Sequence, residues 1–315
     1  MIDIWLPLAG GLALLIVGGD LLVRGAVRVA EQLGISPLVI GLTLVGFGTS
    51  TPELVTSLEA ALLGAPGIAV GNVVGSNTAN ILLILGLAAL IRPILVDRRT
   101  LVRDGAVVVL AAVACAAAVL IGHVGRVTGA VLVTLLAAYV TWTYRTQPAP
   151  ADVSVDAATL VPKPTPSTVT KALVVLAAGL ALTMLGADRL VAGAIELART
   201  WQVSEVVIGV TVVAVGTSLP ELVTSVTAAL RGQSDIAIGN IIGSNIFNVL
   251  GILGVTALVE PMDVPPAIAG LDIWAMLAAT AALVIFAATG GRLSRGEGGV
   301  LLLVYGAYLG VLAGL

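Results

Sequence analysis

Ten apolar runs alternate along the chain with short polar or glycine- and proline-containing breaks. They fall at roughly 4–24, 36–63, 67–91, 101–121, 125–145, 169–189, 204–230, 235–259, 267–289 and 297–314. Each comes close to the ~20 apolar residues that a helix needs to cross a bilayer. The expected class is therefore an all-α membrane protein of ten transmembrane helices. Helices 2, 3, 7 and 8 are long and carry polar or Gly/Pro clusters inside apolar sequence, so they are expected to be broken. The first run has no basic leader and no evident cleavage site, which reads as a retained helix and not a signal peptide.

The pattern repeats. Residues 36–93 align without a gap on 204–261 at an offset of 168, with about 34 of 58 positions identical. Upstream the match weakens but pairs Gly18 with Gly186 and Asp20 with Asp188. Five spans separate equivalent helices, an odd number, so the copies cross the membrane in opposite senses. Two inverted five-helix repeats are expected, residues 1–146 and 169–315, joined by a cytoplasmic linker at 147–168. The linker holds Pro148, Pro150, Pro162, Pro164 and Pro166 and reads as a flexible, partly extended segment. Inverted repeats with interrupted helices place a transport site near the midplane, where the repeats meet.

Composition agrees. Of 315 residues, 58% are hydrophobic and 10% charged, against about 25% charged in soluble domains. With the N-terminus outside, twelve of the 15 Lys and Arg fall at cytoplasmic ends, leaving Arg126, Arg189 and Arg199 outside. This is the positive-inside bias, and it predicts both termini outside in a plasma or inner membrane. No basic tract points to nucleic acid, no protein partner is implied, and the lipid bilayer is the expected surrounding. Cys115 is the one cysteine, so an intrachain disulfide is excluded. No cofactor and no catalytic residue are assigned.

The candidate chemistry lies in the repeat. Gly48-Thr49-Ser50-Thr51-Pro52-Glu53 returns as Gly216-Thr217-Ser218-Leu219-Pro220-Glu221. A charge at bilayer depth costs about 2.5–3.5 kcal/mol on insertion scales and marks function by default. Pro52 removes a helical hydrogen bond and should free carbonyls near Gly48. On a continuous helix, Thr49 and Ser50 would share a face with Glu53, and the second copy repeats the spacing.

A second motif, Gly71-Asn72-Val73-Val74-Gly75-Ser76-Asn77-Thr78-Ala79-Asn80, returns as Gly239-Asn240-Ile241-Ile242-Gly243-Ser244-Asn245-Ile246-Phe247-Asn248. Ser76 and Asn80 are four apart, as are Ser244 and Asn248, so each pair can face one site. Asn77 and Asn245 follow Gly-Ser and are expected to cap a resumed helix. Asn72 and Asn240 read chiefly as interhelical hydrogen-bonding groups. The donor set is all oxygen, which argues against zinc, copper or iron and suits Ca²⁺ or Na⁺. Two carboxylates balance one divalent ion, and several monovalent ions could use the same oxygens in turn.

These doubled motifs, GTSxPE and GNxxGSNxxN, resemble those of the sodium/calcium exchangers of the cation/calcium antiporter superfamily. The resemblance implies a secondary antiporter exchanging Ca²⁺ for Na⁺ by alternating access, with the first and sixth helices sliding across the other eight. It implies that Glu53 and Glu221 bind the ions together with Thr49, Ser50, Ser76, Asn80, Thr217, Ser218, Ser244 and Asn248. The carbonyls of Gly46 and Ala214 would contribute. Many relatives carry Asp where this chain has Asn248, which weakens the case for K⁺ co-transport. A Ca²⁺/H⁺ antiporter of the same architecture is the alternative, and a cation channel the alternative from another class.

Other polar residues read as structural. Asp20 sits four before Arg24, a local ion pair. Glu59 is placed on a cytoplasmic vestibule face, His123 in a short outer loop, and Trp5, Trp142, Trp201 and Trp274 near the interfaces.

Overall fold

The computed structural model describes residues 2–146, 165–201 and 214–312. The linker between 147 and 164, and the first part of the predicted seventh span at 202–213, lie outside the described residues. The described chain is almost wholly helical. Among the described residues seven helices are long and apolar enough to cross a bilayer, or eight with one bent pair counted as a span.

Helix α1 (Ile2–Leu33) and α7 (Pro166–Thr200) are far longer than the apolar runs inside them. Charged residues such as Arg24, Arg28 and Glu31 end a hydropathic run without ending a helix. At ~1.5 Å per residue the 35 residues of α7 exceed a ~30 Å hydrocarbon layer. Helix α7 starts inside the segment read as linker because Thr165 accepts from the Thr168 amide in a capping box and Pro166 takes the first turn.

The two long helices are zipped together. A Cβ on Gly11, Gly18 or Gly25 would lie 2.5–2.6 Å from the backbone nitrogens of Leu190, Thr183 and Leu176. A Cβ on Gly179 or Gly186 would lie 2.3 and 2.7 Å from those of Leu22 and Leu15. The partner numbers fall as the glycine numbers rise, so the helices run antiparallel. Small residues at a seven-residue spacing let the two backbones touch, the usual route to helix association in lipid.

The second span is broken as expected. Helices α2 (Pro37–Thr49) and α3 (Thr51–Leu62) meet at 42°, with Ser50 at the joint (φ −84°, ψ 10°) and Pro52 in the first turn of α3. After the undescribed residues, α8 (Ala214–Thr217) and α9 (Leu219–Leu230) repeat this joint at Ser218 (φ −90°, ψ 9°).

The third and eighth spans correct the expectation of breaks. Helices α4 (Pro66–Ile91) and α10 (Ser234–Val259) run through without interruption. Each instead changes to π-helical geometry, at Asn80–Leu85 and Asn248–Leu253. Their glycines relax the backbone, but neither helix has a proline in its interior to remove a hydrogen bond, so the ladder shifts register and continues. Single π turns of this kind cluster at functional sites.

The remaining long helices are α5 (Arg98–Ile121), α6 (Arg126–Thr146) and α11 (Pro266–Gly290), which belong to those seven, and α12 (Arg295–Leu312), which does not. Four two-residue strands, unforeseen from the sequence, tie the loops. β1 (Ile94–Leu95) pairs with β4 (Arg292–Leu293), and β2 (His123–Val124) with β3 (Met262–Asp263). Helices α5 and α11 end on Gly122 (φ +82°) and Gly291 (φ +62°), left-handed caps that suit glycine. From there on equivalent residues are 169 apart, one more than in the blocks upstream.

Candidate cation site

The bends at Ser50 and Ser218 bring the two glutamates together. Glu53 and Glu221 are each 1% exposed. Ser50 Oγ donates to Glu221 Oε1 at 2.8 Å, and Ser218 Oγ donates to Glu53 Oε1 at 3.3 Å. Each serine thus serves the glutamate of the other copy. This corrects the expectation that Ser50 and Glu53 form one face: the bend at Ser50 ends helical spacing between them.

The asparagines of α4 and α10 hold the glutamate backbones. Asn72 Nδ2 donates to the Glu53 carbonyl at 3.1 Å and to Ser57 Oγ at 2.9 Å. Asn240 Nδ2 does the same to the Glu221 carbonyl and Ser225 Oγ, at 3.3 and 2.9 Å. Their reading as interhelical hydrogen-bonding groups therefore holds, with a specific target. Thr49 Oγ1 lies 3.2 Å from both Asn240 Oδ1 and the Gly46 carbonyl. Ser244 Oγ also donates to Gly46 O at 3.2 Å, whereas Ser76 Oγ reaches only Asn72 Oδ1 at 3.5 Å.

Asn77 and Asn245 do not cap resumed helices, because α4 and α10 never stop. They cross-link the two helices instead. Asn248 Nδ2 donates to Asn77 Oδ1 at 3.0 Å, Asn80 Nδ2 to Asn245 Oδ1 at 3.3 Å, and Asn77 Nδ2 to the Asn245 carbonyl at 3.2 Å. Sequence reasoning places these two residues beside the site without a role in it. The signal is their repeat-matched spacing of three from Asn80 and Asn248.

These bonds leave Asn245 Nδ2 as a buried donor without a partner, and beside it a larger set of acceptors. Glu53 Oε2, Glu221 Oε2, Asn80 Oδ1 and Asn248 Oδ1 are buried and accept no hydrogen bond. An unpaired buried polar atom costs about 1–3 kcal/mol, more when charged. Four such oxygens on two repeat-related motifs form a donor set for a hard cation. Among the described residues no group of three or more His, Cys, Asp or Glu is placed to hold a metal ion.

Two cavities reach this region. One of about 340 Å³ is lined by Asn72, Ser76, Thr217 and Asp272, among others. Another of about 570 Å³ touches Pro52, Thr217, Pro220 and Asp188. Thr217 borders both. Of Ala214, only its place at the start of α8 is described.

Asp20 pairs with Arg24 at 2.9 Å and also with Arg231. His123 is exposed and lies 2.7 Å from Asp263 across β2 and β3. Cys115 is buried, Glu59 is exposed, and all four tryptophans are exposed on the outer surface.

Comparison with known proteins accords with this geometry. The family described as "Sodium/calcium exchanger protein" matches residues 4–145 and 171–314. The chain is 40% identical over 305 residues to the "putative antiporter CaxA" of Alkalimonas amylolytica, covering 95% of each. It is 35% identical over 336 aligned residues to the "sodium/calcium exchanger MaX1" of Methanosarcina acetivorans, covering 96% of each. A solved structure of the sodium-calcium exchanger NCX_Mj, soaked with Na⁺ and Sr²⁺, superposes with a TM-score of 0.85 at 35% identity, over 99% of this chain and 98% of that one. The chain therefore belongs to the sodium/calcium exchanger family of the cation/calcium antiporter superfamily, as a multi-pass integral membrane protein of the cation/Ca²⁺ antiporter class.

Proposed function

We propose that the protein exchanges Ca²⁺ for Na⁺ by alternating access, at a site built from Glu53 and Glu221. The observation that carries the reading is the set of four buried oxygens without donors, two of them carboxylate. Two negative charges match one Ca²⁺. The same oxygens, with Thr49, Ser50, Ser76, Thr217, Ser218, Ser244 and the carbonyls of Gly46 and Ala214, can be divided among several Na⁺. Occupancy by one ion type then excludes the other, which is the basis of exchange.

Ten spans in two inverted repeats, 1–146 and 169–315 joined by 147–168, fit the contacts at the helix ends. The β1–β4 pair and the Arg92 bond to the Leu230 carbonyl join segments assigned to the cytoplasmic side. The β2–β3 pair and the Arg126 bonds to the Leu258 and Val259 carbonyls of α10 join segments assigned to the outside. These two groupings support the ten-span reading, and the positive-inside bias is what argues for both termini outside in a plasma or inner membrane. The glycine zipper makes α1 and α7 one body, and this pair is the element that slides over the rest to switch access.

The test is ⁴⁵Ca²⁺ uptake into proteoliposomes under Na⁺, K⁺ and H⁺ gradients imposed one at a time. An outward Na⁺ gradient should drive saturable uptake. Uptake driven by a pH gradient alone would assign proton coupling instead. Conductive, non-saturating flux would mean a channel.

A further inference from the structure

A second repeat-related pair of aspartates lies outside the glutamate site. Tyr139 of α6 donates from its hydroxyl to Asp104 of α5 at 3.0 Å, and Tyr308 of α12 donates to Asp272 of α11 at 2.8 Å. Asp104 and Asp272 are 168 apart, and Tyr139 and Tyr308 are 169 apart. The extra residue is the one that separates Gly122 from Gly291. The same carboxylate–tyrosine bond is thus built once in each half.

The two copies differ in charge. Asp104 is fully buried, and Arg103 closes on it through Nε at 2.8 Å and Nη2 at 2.6 Å. Arg103 also lies over the Trp142 ring, 5.7 Å from its centroid. In the second copy Leu271 stands in the place of Arg103. Asp272 is half-buried, and among the described residues no Lys, Arg or His pairs with it.

The copies also differ in space. Asp272 lines the same cavity of about 340 Å³ as Ser76 and Thr217. At ~30 Å³ per water that volume admits a cation with its first shell of water. Ala79 borders the cavity. Its equivalent in the other half is Phe247, which fills space by stacking on Phe47 with ring centroids 4.5 Å apart.

We propose that Asp272 is a cation-capture residue, drawing Ca²⁺ or Na⁺ into the cavity that leads to Ser76 and Thr217, on one face of the membrane only. The proposal rests on the exchange reading above. An unneutralised carboxylate on a low-dielectric wall concentrates cations near it, while Arg103 cancels that field in the other half. The face concerned is the one where α4 and α11 begin and α12 ends, since Ile68 and Leu312 form the cavity rim with Asp272.

The test uses full-length protein in proteoliposomes, with initial ⁴⁵Ca²⁺ uptake measured from each face at low ionic strength. Asp272→Asn should raise the apparent KM for Ca²⁺ about tenfold on that face, with the saturating rate unchanged. The difference should shrink when ionic strength is raised with N-methylglucamine salt. Leu271→Arg, which places a cation beside Asp272, should reproduce the effect, and Arg103→Leu should not. Active wild-type vesicles with an unchanged KM in both Asp272→Asn and Leu271→Arg, or with equal changes on both faces, overturn the capture role alone. Wild-type vesicles that take up no Ca²⁺ under any gradient overturn the exchange reading and the capture role with it.

Discussion

Replacing Glu53 with Gln removes one charge from the site and little else. The side chain keeps its length, and its Oε1 can still accept from Ser218 Oγ, now at 3.3 Å. The Asn72 bond goes to the Glu53 backbone carbonyl and is untouched. The fold should therefore survive, with an unchanged elution profile and thermal midpoint. What is lost is half the negative charge offered to a divalent ion in a pocket that is 1% exposed at this residue. Deleting one partner of a buried, compensated charge pair costs about 3–5 kcal/mol. That corresponds to roughly two to three and a half orders of magnitude in Ca²⁺ affinity. The measurement is ⁴⁵Ca²⁺ binding in detergent together with Na⁺-driven uptake in vesicles. Wild-type affinity and rate in Glu53→Gln would refute the site, because among the described residues only Glu221 places another buried carboxylate beside these oxygens.

Asn248→Asp removes the amide that donates to Asn77 Oδ1 and adds a third carboxylate. It should change cation preference, or confer K⁺ or pH sensitivity, in uptake assays; an unchanged ion profile would show that Asn248 is not a ligand. Gly179→Ala puts a methyl 2.3 Å from the Leu22 nitrogen, so α1 and α7 must part there. Exchange should fall at least about tenfold, a rise of about 1.4 kcal/mol in the transport barrier, whereas wild-type turnover would argue against the zipped pair as the moving unit. Asp104→Asn removes the buried carboxylate charge on which Arg103, whose side chain is 14% exposed, closes. It should cost about 3–5 kcal/mol of stability, read as a lower melting temperature that Asp272→Asn does not share.

The glutamates, the hydroxyls beside them and the asparagine motifs are legible because a charge or amide at bilayer depth is conspicuous and the chain displays each twice. What spacing does not give is the pairing. Helical periodicity assigns Ser50 to Glu53, three residues on, and it serves Glu221, 171 residues away. A bend of 42° is enough to take helical periodicity out of force. Asn77 and Asn245 depart from expectation for the opposite reason: glycines without a proline suggest a stop, and the α-helix runs through them and turns π-helical only from Asn80 and Asn248.

Sequence alone determined the apolar helical class, the doubled motifs and their oxygen-rich side chains, since each is a property of residue type and spacing along the chain. Tertiary structure decided which serine meets which glutamate, which amide oxygens are left without donors, and that Asp104 is covered while Asp272 borders a cavity. Those depend on side chains distant in sequence meeting at one point. Near-identical motifs in the two halves carry no information about which partner from the other half each will find.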